Sequence, residues 1–272
     1  MNYYIKYMNE YNKLNKLIYG KSVLYIPIYS CFDYQTQLLN FKADGNINRF
    51  LSTFINCNQY KDITILEPVN GVDKEWFDNV CLKYLNNCKL VECEYITKSA
   101  KVERSIEFSY DIVDFFKNQR VNLNNYDYII CEGQHVFLRL YDLGYSDRLV
   151  YWCPVCATNT KNRDFLEPYK EIDKHIFSIA KNTIVASKDQ VDFYNSFKFK
   201  NNLIQIESLI DRKLEIFNYK KDDDILKLIE KYDGFYIFYF PFRLTDRGYQ
   251  TQEIIDFLYN DWNSYKSFKV LY

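Results

Sequence analysis

An α/β fold is predicted, with a mostly parallel sheet and helices on both of its faces. Three observations carry that expectation. Short apolar, β-branched runs such as SVLYIPIYS (residues 22–30) lack the alternation of a half-exposed strand and have the pattern of strands buried on both faces. These runs alternate along the chain with amphipathic stretches, the order expected when parallel strands are joined by crossover helices. The composition also suits a large ordered core: in 272 residues, 19% are aromatic, with 27 Tyr and 21 Phe against seven Gly and five Pro. The class is Rossmann-like.

Each element follows in order. After the first strand, NINRFLSTFINC places Ile47, Leu51 and Phe54 at helical spacing behind the turn signal Asp44-Gly45. DITILEPV (62–69) is the second strand and residues 73–85 the next helix. CKLVECEYI (88–96) is a third strand, and Ile106, Tyr110, Val113 and Phe116 line one face of a further helix. YDYIICEGQH (126–135), DRLVYWCPV (147–155), NTIVASK (182–188) and NLIQIES (202–208) supply more strands, with a helix over 166–180. NYKKDDD (218–224) reads as a linker. The expected division is therefore a Rossmann-like domain over 1–217 and, over 218–272, the linker and the start of a second unit, with strands in FYIFYF and FKVLY.

Charge and composition narrow the function. The net charge is −1, with 35 basic and 36 acidic residues mixed along the chain, which disfavours a protein that lives on nucleic-acid phosphates. The N-terminal stretch has no apolar core of a signal peptide, and no run approaches the length of a membrane span. Eight scattered cysteines then read as free thiols in a reducing cytoplasm. Cys153 and Cys156 form a CxxC, but without a second pair, and with only two histidines, a metal site lacks its other ligands. No G-x-G-x-x-G, Walker A or G-x-S-x-G sequence occurs. No cofactor or metal is expected.

Candidate site residues lie where strands end, because open parallel sheets bind ligands outside the carboxyl ends of their strands. CEGQH puts Glu132 and His135 there, His135 as a general base or a ligand for phosphate or a sugar hydroxyl, the alternative being a histidine that satisfies loop backbone. CATNTKNRDFLEP offers Thr158, Lys161 and Arg163 to an acceptor or an anion. In YIFYFPFRLTDRGYQT (236–251), Arg243 and Arg247 flank a turn closed by Gly248 at the start of a helix, a pattern that suits a diphosphate.

The order of these parts resembles the middle of retaining GT-B glycosyltransferases, of the family 4-like kind. Ala186-Ser187 stand where those enzymes have a small residue and Ser before a helix, ESLIDRKLEIF where they have a strand-end turn, and Arg243 with Arg247-Gly248 where they have an R…KG junction. The departures are Arg247 in place of Lys, FPFR in place of a glycine before Arg, and no E-x7-E region. The resemblance implies a nucleotide-sugar donor as substrate, Arg243, Arg247 and Gly248 at its phosphates, and a glycan or other hydroxyl acceptor beside the first domain. Ser187, Thr158, Lys161 and Arg163 become acceptor-cleft candidates, and Glu132 and His135 catalytic ones. A non-catalytic binding protein on the same fold, a self-associating chain, and one half of a split enzyme with a partner chain remain open alternatives.

Overall fold

The computed structural model describes residues 2–27, 45–67, 74–92, 121–153, 167–206, 237–239 and 269–271. One seven-stranded sheet organises most of them: β1 (Ser22–Ile26), β2 (Asp62–Glu67), β3 (Cys88–Glu92), β4 (Tyr128–Cys131), β5 (Leu149–Cys153), β6 (Asn182–Val185) and β7 (Asn202–Gln205). Their order across the sheet is β3-β2-β1-β4-β5-β6-β7, and every neighbouring pair is parallel. The described α-helices are α1 (Asn2–Ile18), α2 (Gly45–Asn56), α3 (Lys74–Tyr84), α4 (Gln134–Leu140), α5 (Glu167–Ile179) and α6 (Lys188–Ser196). The predicted α/β, Rossmann-like class is present.

Two apolar layers explain why the strands read as continuous runs. All five residues of β1 and of β5 are buried. Successive side chains point to opposite faces, so Val23, Tyr25, Val150 and Trp152 enter one layer and Leu24, Ile26, Leu149, Tyr151 and Cys153 the other. Helices α1, α2 and α3 cover the first face through residues such as Leu14, Ile18, Phe50, Phe54 and Phe77. Helices α4, α5 and α6 cover the second through Val136, Phe137, Ile176, Phe177 and Tyr194.

Two helices were not legible in the sequence. α1 grows from the Tyr- and Asn-rich N-terminus, and its Tyr11, Leu14 and Ile18 fall on one buried stripe. It ends at Ile18, and Gly20 in the turn that follows has a φ of 63°, which suits glycine. Glu10 of α1 also accepts from the backbone N–H of Gln205 at 3.0 Å, satisfying a donor at the end of edge strand β7. α4 begins after β4 with only Glu132 and Gly133 between them. Strand ends also shift: β5 starts at Leu149 because Ser146–Arg148 form a turn, and β6 stops at Val185 because Ser187 caps α6. The helix expected around 106–116 lies outside the described residues.

Contacts divide the chain into two compact units, Met1–Thr158 with Phe165–Phe217, and Asn159–Asp164 with Asn218–Tyr272. In the second, β8 (Ile237–Tyr239) and β9 (Lys269–Leu271) pair in parallel, Ile237 opposite Lys269. A parallel pair needs a crossover, and residues 240–268 are long enough to supply one. The linker at 218–224 is outside the described residues.

Candidate functional site

The strand order reverses once, between β1 and β4. At such a switch point the connections leave in opposite directions and open a crevice beyond the carboxyl ends of the two strands. Ile26 ends β1 and Cys131 ends β4, side by side in register. Glu132 is the next residue, its N–H donating to the Ile26 carbonyl at 3.0 Å.

Glu132 is 2% exposed. A buried carboxylate is costly unless hydrogen-bonded, and here the Tyr25 hydroxyl donates to Glu132 Oε1 at 2.6 Å. The phenol is fixed from behind. Phe50, Phe54 and Trp152 surround the Tyr25 ring with centroids 4.9, 5.8 and 5.8 Å away. The sequence pointed to Glu132 but not to Tyr25, because an aromatic inside an apolar run reads as core.

His135 lies in the first turn of α4 rather than in a loop. Burial, and secondarily the Arg139 guanidinium one turn along, hold its imidazole below the ordinary histidine range. Near neutral pH it is thus an uncharged donor and acceptor. The fold favours the neutral ring, so the unfolded chain binds more protons between the two pKa values. Stability contributed by His135 is full above the unfolded value of about 6.5 and is lost as pH falls through the folded value. His135→Asn is expected to flatten that part of the melting-temperature profile between about pH 7 and 5; the same slope in both proteins would contradict it.

A second polar cluster sits on the opposite face. Asp173 of α5, 1% exposed, accepts at Oδ1 from the Tyr151 hydroxyl at 2.6 Å and from Gln134 Nε2 at 2.7 Å, with Cys153 Sγ at 3.8 Å. Burial first, then Cys153 and Asp173, push the Tyr151 phenol well above its usual range, so it stays a donor. The cluster ties α5 to the first residue of α4 and to the end of β5. An acid at the helical spacing of Ile176 and Phe177 was the available signal.

Ser187 serves α6. Its hydroxyl oxygen accepts from the Gln190 N–H at 3.3 Å, while Gln190 Oε1 accepts from the N–H groups of Ser187 at 3.0 Å and Ala186 at 2.6 Å. Gln190 Nε2 donates to the Cys153 carbonyl at 3.1 Å, joining the ends of β5 and β6. The S-x-x-Q spacing marks this capping box in the sequence. Ser187→Ala is expected to cost about 1 kcal/mol of stability by urea unfolding; no loss would mean the cap contributes nothing.

Glu132 and His135 thus stand at one strand end, with Ser187 at the end of β6, two strands away. Thr158, Lys161, Arg163, Arg243, Arg247 and Gly248 lie outside the described residues, as does Cys156. Cys153 is a buried strand residue with a free thiol. His175 is on the exposed side of α5. Among the described residues no three His, Cys, Asp or Glu side chains form a metal-holding group, and no helix is long and apolar enough to cross a membrane. No protein-family model matches the chain, and no curated protein matches it in sequence.

Proposed function

We propose that the chain is a glycosyltransferase, or the acceptor-domain part of one, moving a sugar from a nucleotide-sugar donor to a hydroxyl acceptor. The observation that carries the reading is a hydrogen-bonded carboxylate, Glu132, at the single switch point of a doubly wound parallel sheet. The parallel β8–β9 pair adds to it, since β8 ends at Tyr239, four residues before Arg243. A strand end followed closely by two arginines suits a junction that binds a diphosphate. Acceptors consistent with this chemistry are a glycan, a lipid carrier or a modified base in viral DNA.

In this reading the two guanidiniums neutralise the leaving diphosphate, so the reaction is driven by preorganised positive charge. The acceptor hydroxyl approaches the β1–β4 crevice, where Glu132 and the neutral His135 can accept its proton or its hydrogen bond.

A thermal-shift panel of nucleotide sugars and free nucleotides tests it. A ligand at about a hundred times its dissociation constant adds about 2.7 kcal/mol. One nucleotide class is expected to raise the melting temperature, with the rise lost in Arg243→Ala and Arg247→Ala. No response to any nucleotide, or a response that both variants keep, would count against the reading.

A further inference from the structure

The link between β4 and α4 is Glu132 and Gly133 alone, and the two candidate catalytic residues bracket it: Glu132 opens the link and His135 is the second residue of the helix. Such a junction has little to hold it locally. Gly133 has no side chain with which to cap α4, and the helix is seven residues long, so its first turn depends on attachments from elsewhere. Two attachments reach it, from opposite faces of the sheet. From the first face the Tyr25 hydroxyl donates to Glu132 Oε1 at 2.6 Å. On the second, Gln134 Nε2 donates to Asp173 Oδ1 at 2.7 Å, and the same oxygen accepts from the Tyr151 hydroxyl at 2.6 Å. The Tyr151 ring is itself packed against Phe137 and Phe177, with centroids 5.4 and 6.0 Å away. Gln134 therefore reaches an acceptor that is already fixed in place.

A carboxyl group buried among Ile176, Phe177 and Tyr151 costs desolvation, which its hydrogen bonds offset without a large surplus. What an apolar side chain at 173 could not supply is a fixed attachment for Gln134. We propose that Asp173 is a positioning residue, which holds the first turn of α4 through Gln134 so that Glu132 and His135 keep one geometry at the β1–β4 strand ends. This deepens the glycosyltransferase reading, on which its catalytic consequence rests. A base must stay within hydrogen-bond reach of the hydroxyl it serves, and a displacement of about 1 Å can cost on the order of a hundredfold in rate.

Amide hydrogen exchange in the wild type, Gln134→Leu and Asp173→Asn tests the attachment. The Phe137 N–H, bonded to the Gly133 carbonyl at 2.9 Å, reports opening of the first turn of α4. Gln134→Leu removes the attachment and leaves Tyr151 its acceptor, so the protein is expected to fold. Its Phe137 amide should exchange about tenfold faster while the amides of β4 keep their wild-type rates. Asp173→Asn keeps an acceptor oxygen and is expected to hold the Phe137 rate near that of the wild type. An unchanged Phe137 rate in Gln134→Leu overturns the proposal. An equal acceleration throughout β4 overturns it too, because that marks a general loss of stability and not a loosened turn. Release of nucleoside diphosphate from nucleotide sugars is read on the same proteins. A kcat about tenfold lower in Gln134→Leu at unchanged KM, restored to near the wild-type value in Asp173→Asn, is expected. Wild-type kcat in Gln134→Leu overturns the positioning role. A wild type that releases nothing from any donor sinks the transferase reading alone, and the exchange rates then decide the positioning role by themselves.

Discussion

Replacing Phe54 by alanine is expected to remove about 3–5 kcal/mol of stability, the cost of emptying a buried aromatic position. Phe54 is fully buried, and its ring lies 5.0 Å from Phe50, 5.8 Å from Tyr25, 6.2 Å from Tyr60 and 6.4 Å from Trp152. No single neighbour can fill the void, because each ring is itself held by the others. Urea unfolding with an unchanged slope measures the loss directly. The same cluster backs Tyr25, so Phe54→Ala should also loosen the Tyr25–Glu132 hydrogen bond, whereas Phe54→Leu, which keeps most of the volume, should cost less. A loss below about 1 kcal/mol for Phe54→Ala would mean that this face is not packed as described.

The second large effect is expected at Asp173. Removing its carboxylate in Asp173→Ala leaves the Tyr151 hydroxyl and the Gln134 amide without their shared acceptor. The orphaned, buried Tyr151 hydroxyl costs about 1–3 kcal/mol, and Gln134, being partly exposed, adds less. A total of about 2–4 kcal/mol is expected. Asp173→Asn keeps an oxygen at the Oδ1 position and should lose clearly less. Tyr151→Phe removes one donor of the set and should fall between the two. Equal losses for Asp173→Ala and Asp173→Asn would show that the side chain matters for its volume and not for the hydrogen bonds it accepts.

These sites show what the sequence can and cannot convey. β1, β2, β4 and β5 were legible because strands buried on both faces leave unbroken apolar runs. α2, α3 and α5 were legible from their turn signals and spacing. α4 was not, because Gly133 precedes it with no side-chain cap and the helix starts two residues after the strand. α1 was hidden by its many tyrosines and asparagines, although Tyr11, Leu14 and Ile18 already carried the period. Within the site, Glu132 and His135 stood out as polar residues just past an apolar run. Tyr25 and Asp173 did not, for a shared reason. Each takes a polar partner from a distant part of the chain, Tyr25 from Glu132 and Asp173 from Tyr151, and only the register of β1 against β4 and the packing of α5 on the sheet bring these partners together. Sequence spacing along one element carries no record of register between two.

The most direct measurement is release of nucleoside diphosphate from a panel of nucleotide sugars, with methyl glucoside as a soluble hydroxyl acceptor, comparing the wild type with Glu132→Gln and Arg247→Ala. Glu132→Gln keeps an oxygen for the Tyr25 hydroxyl, so it is expected to fold as the wild type does while losing turnover through the missing carboxylate. Arg247→Ala is expected to lose turnover through weakened donor binding. Release by the wild type that falls at least about tenfold in both variants is the result this account predicts. Release from no donor, or release that both variants retain in full, would contradict it.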